Sequence, residues 1–356
     1  MEKIIIKEFG EEVYNFLSKH VDWKSEKTLV LCTSTIFNIE NQPQGRYDSI
    51  LNLKKINNIL RINRFFIEIN TKLPENGIFI GAVETYPLRV KRFFIKYPKF
   101  IAILLYMFWF LYKRIFPKLP LFKKMYFFFT RGVDRVVSKA EALGRLVSCG
   151  FEIIEYKECN NVMYFVVKKV KVPAENYQPS YGPIFKMRRV GKGGKIIYVY
   201  KFRTMHPYAE FLQDYILKVN GYSDIAKPAN DFRLTDWGKF FRKYWLDELP
   251  QLFNVLKGEM RLVGVRPVSE RFLKEYPEDI REMRLKHKPG CVPPYVALYN
   301  NRKKKEEKDG DCPFLLKYID DEREYLRDFE KNPYTTDIKY FFKAFYNIFF
   351  KKITSS

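Results

Sequence analysis

Long hydrophobic runs are absent from this sequence. Its longest uncharged apolar stretch, at residues 100–112, is about thirteen residues long and would extend about 20 Å as a helix, against roughly 30 Å for the hydrocarbon core of a bilayer. We therefore expect no helix that crosses a membrane. The apolar run at residues 4–6 is too short for a signal peptide, which predicts that the chain is not secreted.

Cysteines are few, and their pattern excludes some chemistry. The chain has 5 of them, an odd number, and no two form a Cys-x-x-Cys pair. Without a secretory signal, this pattern favours reduced thiols in the cytoplasm over a disulfide framework. We do not expect a thiol nucleophile.

Acidic residues are outnumbered by basic ones. There are 41 Asp and Glu against 64 Lys and Arg, which gives a net charge of +23. The expected partners are therefore anionic: phosphates, nucleic acid or the cytoplasmic leaflet of a membrane. Aromatic residues make up 17% of the chain, and many stand beside Lys or Arg, a mixture that suits a membrane interface. The length and the 47% apolar content suffice for two modest domains.

Residues 1–172 are predicted to form an α/β region. The order of its elements resembles the back half of a class I methyltransferase fold, which is a partial Rossmann-like arrangement. A cofactor site there needs a glycine-rich turn after the first strand, but no Gly-x-Gly follows Cys32, so we interpret the region as a structural remnant. The predicted elements are strands at 28–32 and 77–83, a helix at 50–70, a helix opened by Ser138, and a hairpin of strands at 151–155 and 164–169.

Residues 98–129 interrupt this region and predict a membrane-interacting insertion. The apolar run at 100–112 has basic residues at both ends, and a second apolar cluster at 125–129 follows two prolines. The segment is expected to enter one leaflet, break at the prolines and return, with both ends on the cytoplasmic side. A buried core helix with a hydrophobic hairpin is the alternative.

The end of the chain predicts a second amphipathic element. At residues 337–352, apolar side chains recur at helical spacing among lysines, which is typical of a helix at a membrane interface or of one docked on the protein. Residues 172–182 are typical of a linker, and residues 303–311 of a charged surface loop.

The stretch 182–267 contains the residues expected to carry the chemistry. A Gly-Lys-Gly-Gly-Lys turn at 191–195 predicts a β-hairpin that bears cations. In its second strand, Lys201 and Arg203 share one face, while Tyr198 and Tyr200 lie on the other and could pack inward. Two cations on one face fit a diphosphate group; a solvated strand face is the alternative.

Residues 249–256 predict a helix with one apolar stripe, ended by Gly258 and with Asp247 at the N-cap. A carboxylate at this end of a helix stays ionised, and an approaching phosphate finds free backbone N–H groups there. The alternative is that Asp247 only caps the helix and Glu248 only complements its dipole. Basic residues on both sides of the pair favour phosphoryl transfer, in which cations hold the phosphate and a divalent ion neutralises charge.

The runs at 201–205, 247–252, 254–260 and 266–267 resemble the bacterial sugar transferases known as monotopic phosphoglycosyl transferases. The resemblance covers about residues 182–300. It implies a membrane-associated α/β catalytic domain and a two-step reaction that depends on Mg²⁺ and passes through an aspartyl-phosphosugar intermediate.

The resemblance also implies roles for the residues that match the motif positions of that family. It implies that Asp247 is the nucleophile and that Glu248 is its acidic partner near Mg²⁺. The residues that would hold phosphates are Lys201, Arg203, Arg242 and Arg266.

The sequence thus predicts a methyltransferase-like region, 1–172, and a sugar transferase catalytic domain, 173–356. The expected reaction moves a phosphosugar from a UDP-sugar to undecaprenyl phosphate or another polyprenyl phosphate and initiates a surface glycan. The expected location is the cytoplasmic face of the inner membrane, with no nucleic acid as partner. The alternatives are an S-adenosylmethionine-dependent methyltransferase of a lipid or glycan, and a basic, non-catalytic membrane-binding protein.

Four features depart from the family pattern. The apolar membrane segment lies inside the methyltransferase-like region and not just before the Gly-Pro-Ile-Phe run that begins at Gly182. Val265 stands where a proline is expected, and residues 288–294 keep only the Pro-Gly of a longer run. The acidic residue expected near the C-terminus matches Glu322 only loosely.

Overall fold

A computed structural model describes residues 2–173, 182–220, 231–299, 318–351 and 353. The chain divides into two compact units. Unit 1 contains Met1–Tyr181 and His206–Ser223, and unit 2 contains Gly182–Met205 and Leu234–Ser356. Segment His206–Ser223 thus groups with unit 1, although the sequence assigned it to the catalytic domain. Most of the predicted linker and all of the predicted charged loop, 303–311, lie outside the described residues.

Unit 1 is built on a five-stranded mixed sheet. In chain order its elements are α1 (Glu2–Phe9), α2 (Glu11–Ser18), β1 (Thr28–Leu31), α3 (Phe37–Glu40), β2 (Ser49–Lys55), α4 (Ile62–Lys72), β3 (Ile78–Val83), α5 (Tyr86–Lys96), α6 (Lys99–Phe110), α7 (Pro120–Thr130), α8 (Lys139–Ser148), β4 (Phe151–Cys159), β5 (Val162–Lys169) and α9 (Gln213–Asn220), with single 3-10 turns at Ile56–Asn58 and Ala209–Leu212. The strand order is β1-β2-β3-β5-β4. Strands β1, β2 and β3 are parallel, and β5 runs antiparallel to both β3 and β4.

Helices cover both faces of this sheet. One face packs Phe79 and Phe165 against α4 and α8, and the other packs Ile80 and Val166 against α1 and α2. Strands covered on both faces are buried at almost every position, as β2 and β3 are here. Ser138 caps α8 by accepting a hydrogen bond from the Glu141 amide, as predicted.

The predicted strands at 28–32 and 77–83 and the predicted hairpin are confirmed. The helix predicted at 50–70 is wrong in its first part, because Ser49–Lys55 is strand β2 and only Ile62–Lys72 is helical. A strand buried on both faces carries a continuous apolar run, and its spacing cannot be told from that of a buried helix. The likeness of this unit to a methyltransferase stays a prediction.

The predicted insertion is helical. It comprises α6 and α7, with a turn of π-helix at Leu111–Ile115 and a 3-10 turn at Phe116–Lys118 between them, and α5 directly precedes it. In α5, Arg89 forms a buried ion pair with Glu84, 2.9 Å, and a second ion pair with the half-exposed Asp134, 2.6 Å, which follows the insertion in the chain. The alternative of a buried hairpin is not what the structure shows, because most large apolar side chains of α6 are exposed.

None of the helices in the described part of the chain combines the length and apolarity needed to cross a membrane.

Unit 2 combines two small sheets with short helices. In chain order its elements are β6 (Ile184–Val190), β7 (Ile196–Phe202), α10 (Asp236–Lys243), a 3-10 segment (Leu246–Gln251), α11 (Leu252–Leu256), β8 (Arg261–Val263), α12 (Glu270–Lys274), α13 (Glu278–Lys286), β9 (Gly290–Val292), α14 (Pro294–Ala297), α15 (Ile319–Lys331) and α16 (Pro333–Phe350), with a 3-10 turn at Lys192–Gly194. Strands β6 and β7 are antiparallel, and β8 and β9 are parallel.

The last helix, α16, matches the predicted amphipathic element. One side of it docks on the core of unit 2, where Tyr340 and Ala344 are buried and the Asn347 amide donates to the carbonyl oxygen of Val296 at 2.9 Å. The other side leaves Phe342 and Phe349 exposed. The docked alternative therefore describes one side of α16, and the interfacial alternative stays a prediction for the exposed side.

Candidate active site

The β6–β7 hairpin contributes one wall of the candidate site. It forms as predicted, with Phe185 opposite Lys201. The prediction that Tyr198 packs inward is wrong, since Tyr198 is 53% exposed whereas Val199 is fully buried. Small aliphatic side chains of β7 pack against Met260 and Cys291, so the face that carries Lys201 points inward and the lysine itself is buried.

The carboxylates lie on a tight 3-10 segment. Trp245 adopts a left-handed conformation, φ 60°, and the segment begins directly after it. Asp247 is therefore inside the segment and not at the N-cap of a longer helix, which corrects the prediction. The Trp245 indole, whose Nε1 donates to the carbonyl oxygen of Ile353 at 2.8 Å, anchors this turn. Asp247 and Glu248 are only 3% and 9% exposed.

The predicted apolar stripe is present, but it faces away from the core. Leu249, Leu252 and Phe253 are exposed, and Leu256 is 84% exposed. An amphipathic segment whose apolar side lies outward has a surface left for a partner that is itself apolar.

Asn254 joins the carboxylate segment to the strand that carries Lys201. Its side chain is fully buried. The amide nitrogen donates to the carbonyl oxygen of Tyr198 at 2.8 Å, and the amide oxygen accepts from the backbone N–H of Tyr200 at 3.1 Å. Asn254 thus pairs with the open edge of β7 as a neighbouring strand would. The sequence analysis missed this role; its only signal was a polar residue among the apolar ones.

Glu248 is held in a dense set of charges. Its Oε1 lies 2.6 Å from Lys201 Nζ and 3.6 Å from Arg266 Nη2, and its Oε2 accepts a hydrogen bond from the Gln251 amide. Burial alone would raise the pKa of Glu248, but the charges of Lys201 and Arg266 outweigh it and hold the pKa below its usual range. Glu248 is therefore a carboxylate at neutral pH.

Arg242 is positioned by the start of its helix. Thr235 caps α10, accepting from the Gly238 amide at 2.9 Å and donating to the carbonyl oxygen of Thr204 at 2.9 Å. A Cβ at Gly238 would lie 2.1 Å from that carbonyl oxygen, so only glycine allows this approach. Arg242, in the last turn, donates from Nε to Thr204 Oγ1 at 3.0 Å.

Arg266 lies in the turn after β8 and is held from both sides. Its guanidinium donates to the Tyr295 hydroxyl, and its backbone carbonyl oxygen accepts from Arg284. Arg284 in turn forms a buried ion pair with Glu322. Glu322, the acidic residue loosely matched near the C-terminus, is therefore linked to Arg266 by way of Arg284.

Five of the six predicted site residues line one pocket of unit 2, with a volume of about 210 Å³. These five are Lys201, Arg242, Asp247, Glu248 and Arg266. The pocket is completed by Phe185, Met187, Arg189, Phe202, Thr204, Gln251 and Pro267. Arg203 lies outside this lining; its Nε donates to the carbonyl oxygen of Gly182 at 3.0 Å.

The donor set of this pocket fits Mg²⁺ when a phosphate substrate is present. Mg²⁺ takes one or two carboxylates in such sites and completes its coordination with substrate phosphates and water. Asp247 and Glu248 supply those carboxylates. Within the described ranges, no cluster of three or more Asp, Glu, His or Cys side chains is placed to hold a metal.

Comparison with known proteins agrees with the resemblance seen in the sequence. The family model described as bacterial sugar transferase matches residues 162–351, which is more than half of the chain. The chain is 40% identical over 136 residues to a galactosyl transferase of Streptococcus agalactiae, covering 38% of this chain and 28% of that protein.

Two further relatives cover similar parts of the chain. An undecaprenyl-phosphate galactose phosphotransferase of Salmonella typhimurium is 44% identical over 118 residues, 31% of this chain and 24% of that protein. A UDP-glucose:undecaprenyl-phosphate glucose-1-phosphate transferase of Xanthomonas campestris is 39% identical over 116 residues, 32% of this chain and 22% of that protein. The matched part of the chain thus spans from 22% to 28% of the length of these curated relatives.

The charge set around Glu248 makes a prediction about stability. Glu248→Gln leaves Lys201 buried without its partner, which costs about 3 kcal/mol for a buried pair. Because the folded pKa of Glu248 lies below the unfolded value of 4.5, this stabilisation is present above that pH and is lost as the pH falls through the folded pKa. We expect the unfolding midpoint of the variant to be lower at pH 7 and to approach the wild-type midpoint on acidification.

Glu270→Gln is the matched control, because Glu270 pairs with Arg188 at 3.3 Å on the surface and should contribute little at either pH. An equal effect of the two substitutions at pH 7 would contradict the prediction.

Proposed function

Because the chain belongs to the bacterial sugar transferase family, we propose that it transfers a phosphosugar from a UDP-sugar to a polyprenyl phosphate. The observation that carries this proposal is the pair of adjacent, buried carboxylates, Asp247 and Glu248, in a pocket lined by cations. The names of the Salmonella and Xanthomonas relatives, which include undecaprenyl phosphate and, in the second, UDP-glucose, support this donor and acceptor class.

The charge of the pocket suits a diphosphate donor. Its lining carries four cationic side chains against the carboxylates of Asp247 and Glu248, which leaves two positive charges uncompensated. A nucleotide diphosphate sugar carries one negative charge on each of its two phosphates. The cations are Arg189, Lys201, Arg242 and Arg266.

Asp247 is assigned as the nucleophile, as the resemblance to the family implies, and Glu248 as its partner, whose two oxygens are engaged by Lys201 and Gln251. In the first step a carboxylate oxygen of Asp247 attacks the phosphorus that bears the sugar. The bond from this phosphorus to the bridging oxygen breaks, and UMP leaves with that oxygen and the bonding electrons. The product is an aspartyl-phosphosugar, and no proton needs to move.

In the second step an oxygen of the polyprenyl phosphate attacks the same phosphorus. The bond to Asp247 breaks, the carboxylate returns, and the polyprenyl diphosphosugar is released. Lys201 and Arg266, held by Glu248 at 2.6 Å and 3.6 Å, stabilise the charge on the transferred phosphoryl group throughout. Attachment of this first sugar to a lipid carrier would initiate a surface glycan.

Asp247 and Glu248 are expected to hold a magnesium ion together with the diphosphate of the donor. When bound there, it would neutralise part of the negative charge that the donor brings towards the two carboxylates.

A polyprenyl acceptor requires access to lipid. Exposed apolar side chains support a lipid-facing role for three helices: α6 in unit 1, and α11 and α16 in unit 2. The net charge of +23 favours the anionic cytoplasmic leaflet. We therefore place the protein on the cytoplasmic face of the inner membrane, where both the nucleotide sugar and the lipid phosphate are within reach.

The methyltransferase alternative has less support. At the end of β1, the Asn52 side chain accepts from the Thr33 amide at 2.9 Å and donates to the Thr33 carbonyl oxygen at 3.0 Å. These contacts hold the turn after β1, and no Gly-x-Gly follows Cys32 there. Binding of S-adenosylmethionine by the purified chain would revive the alternative, and salt-sensitive binding of anionic lipid without UMP release would favour a non-catalytic protein.

The nucleophile assignment makes a direct prediction. Asp247→Asn should lose more turnover than the about 10²–10⁴-fold that removal of a general base costs, because the covalent route loses its nucleophile. Wild-type protein given UDP-sugar and Mg²⁺ without acceptor should gain the mass of a phosphosugar on Asp247 and release UMP. Asp236→Asn, a change at an exposed carboxylate of the same unit, is the control and should behave as wild type. An adduct on another residue would refute the mechanism.

Removal of divalent ions should stop turnover. With the ion gone, the lysine and arginines must neutralise both the donor and the two carboxylates. UMP release is measured in excess chelator and again after Mg²⁺ is restored, and we expect loss followed by recovery. Undiminished release in chelator would show that the cations of the pocket suffice.

Membrane association should depend on α6. Replacing Leu104, Leu105 and Phe108 together with Ser removes exposed apolar surface, so a larger fraction of the protein should appear in the supernatant when membranes are sedimented. The control is Ser at Ile4, Phe37 and Leu60, which are exposed apolar residues of unit 1 outside the insertion. If both triple variants stay with membranes as the wild type does, α6 is not the anchor.

A further inference from the structure

Arg189 is a pocket cation that sequence analysis did not single out. It lies near the end of β6, where burial alternates: Phe185, Met187 and Arg189 are half-buried, while Lys186 and Arg188 are exposed. The half-buried side chains are the ones that line the pocket. Strand alternation therefore points Arg189 into the site and its neighbour Arg188 towards solvent.

The partners of Arg189 distinguish it from the other cations. Its Nη1 donates to the carbonyl oxygen of Arg188 at 2.8 Å, and its Nη2 contacts Met187 Sδ at 3.2 Å. Lys201 and Arg266 lie within 4 Å of a Glu248 oxygen, but no described carboxylate forms an ion pair with Arg189. Burial and the charge of Arg266 lower the pKa of Arg189. A bound anion would stabilise the charged form of this side chain.

The position of Arg189 along the hairpin also differs from that of Lys201. It stands opposite Ile197, whereas Lys201 stands opposite Phe185. Four residues along a strand correspond to about 13 Å. Lys201 and Arg189 therefore line the pocket from different positions along the hairpin, with Arg266 near both.

We propose that Arg189 binds the phosphate monoester that leaves in the first step and then the phosphate monoester that attacks in the second. This inference rests on the proposed function. In each in-line displacement the entering and leaving oxygens lie on opposite sides of the phosphorus. Asp247 is on one side in both steps, so the phosphate of UMP and that of the polyprenyl acceptor occupy the other side in turn.

The chemistry of both groups suits an arginine. A phosphate monoester carries a charge of about −1.5 to −2 near pH 7, and a guanidinium can bind two of its oxygens at once. A lysine at the same place would keep the charge but lose the paired hydrogen bonds. Arg189 is thus a binding residue for the group that departs and for the group that replaces it.

The test measures the two half-reactions separately in Arg189→Ala, Arg189→Lys and Arg188→Ala. The first is UMP release from UDP-sugar without acceptor. The second is discharge of the preloaded phosphosugar to added polyprenyl phosphate. Arg189→Ala should slow both by about 10- to 100-fold and weaken inhibition by UMP by a similar factor. The rates of Arg189→Lys should lie between those of Arg189→Ala and the wild type. Arg188→Ala removes the same charge from the solvent side, and its rates should match those of the wild type.

The outcomes separate this inference from the proposal on which it rests. Slowing of only one half-reaction would overturn the shared role, as would normal rates in both. Unchanged UMP inhibition in Arg189→Ala would overturn it as well. If Arg189→Ala has a lowered unfolding midpoint, its rates are set aside. The two half-reaction rates and the UMP inhibition of Arg189→Lys then test the inference. Failure of the wild type to release UMP from any UDP-sugar would instead overturn the proposed function.

Discussion

The buried ion pair between Lys201 and Glu248 is the contact on which the site depends. Neither charge is stable inside a protein alone, and a pair offsets its loss of hydration only when its geometry is close and further hydrogen bonds complete it. Here the distance is 2.6 Å, and Arg266 and Gln251 provide additional partners for the carboxylate. Three separate pieces of unit 2 must therefore be in place together: strand β7, the 3-10 segment and the turn after β8.

Polar side chains hold these pieces in register where regular secondary structure is short. Unit 2 has only two-stranded sheets in its described part, so many backbone groups near the site lack a strand partner. Asn254 supplies one for β7, Thr235 joins α10 to the end of β7 through Thr204, and Arg284 fixes the carbonyl oxygen of Arg266. Each of these side chains is buried and hydrogen-bonded, as buried polar groups must be.

Large apolar side chains occur on the surface of this protein as well as in its packed cores. In α6, α11 and α16, large aliphatic and aromatic side chains stay exposed although the interior of each unit is densely packed. Soluble surfaces rarely expose such groups in clusters. In α11 the exposed residues directly follow the segment that bears Asp247 and Glu248, so an exposed apolar stripe lies next to the two carboxylates in the chain.

Local patterns determined much of this protein. Turn glycines and alternating strands located the β6–β7 hairpin, the capping residue Ser138 located α8, and the run around Asp247 and Glu248 identified the family. Five of the six predicted site residues meet in one pocket. These features depend on residues close together in the chain, so spacing and residue type are enough to reveal them.

Tertiary packing decided the rest. It made Ser49–Lys55 a strand, because a segment buried on both faces has no periodicity of its own. It turned the Lys201 face inward, since Val199 and not Tyr198 fits against Met260 and Cys291. It also placed Arg189 inside the pocket and Arg203 outside its lining. In each case the outcome depends on which surface another part of the chain covers, and local spacing carries no information about that partner.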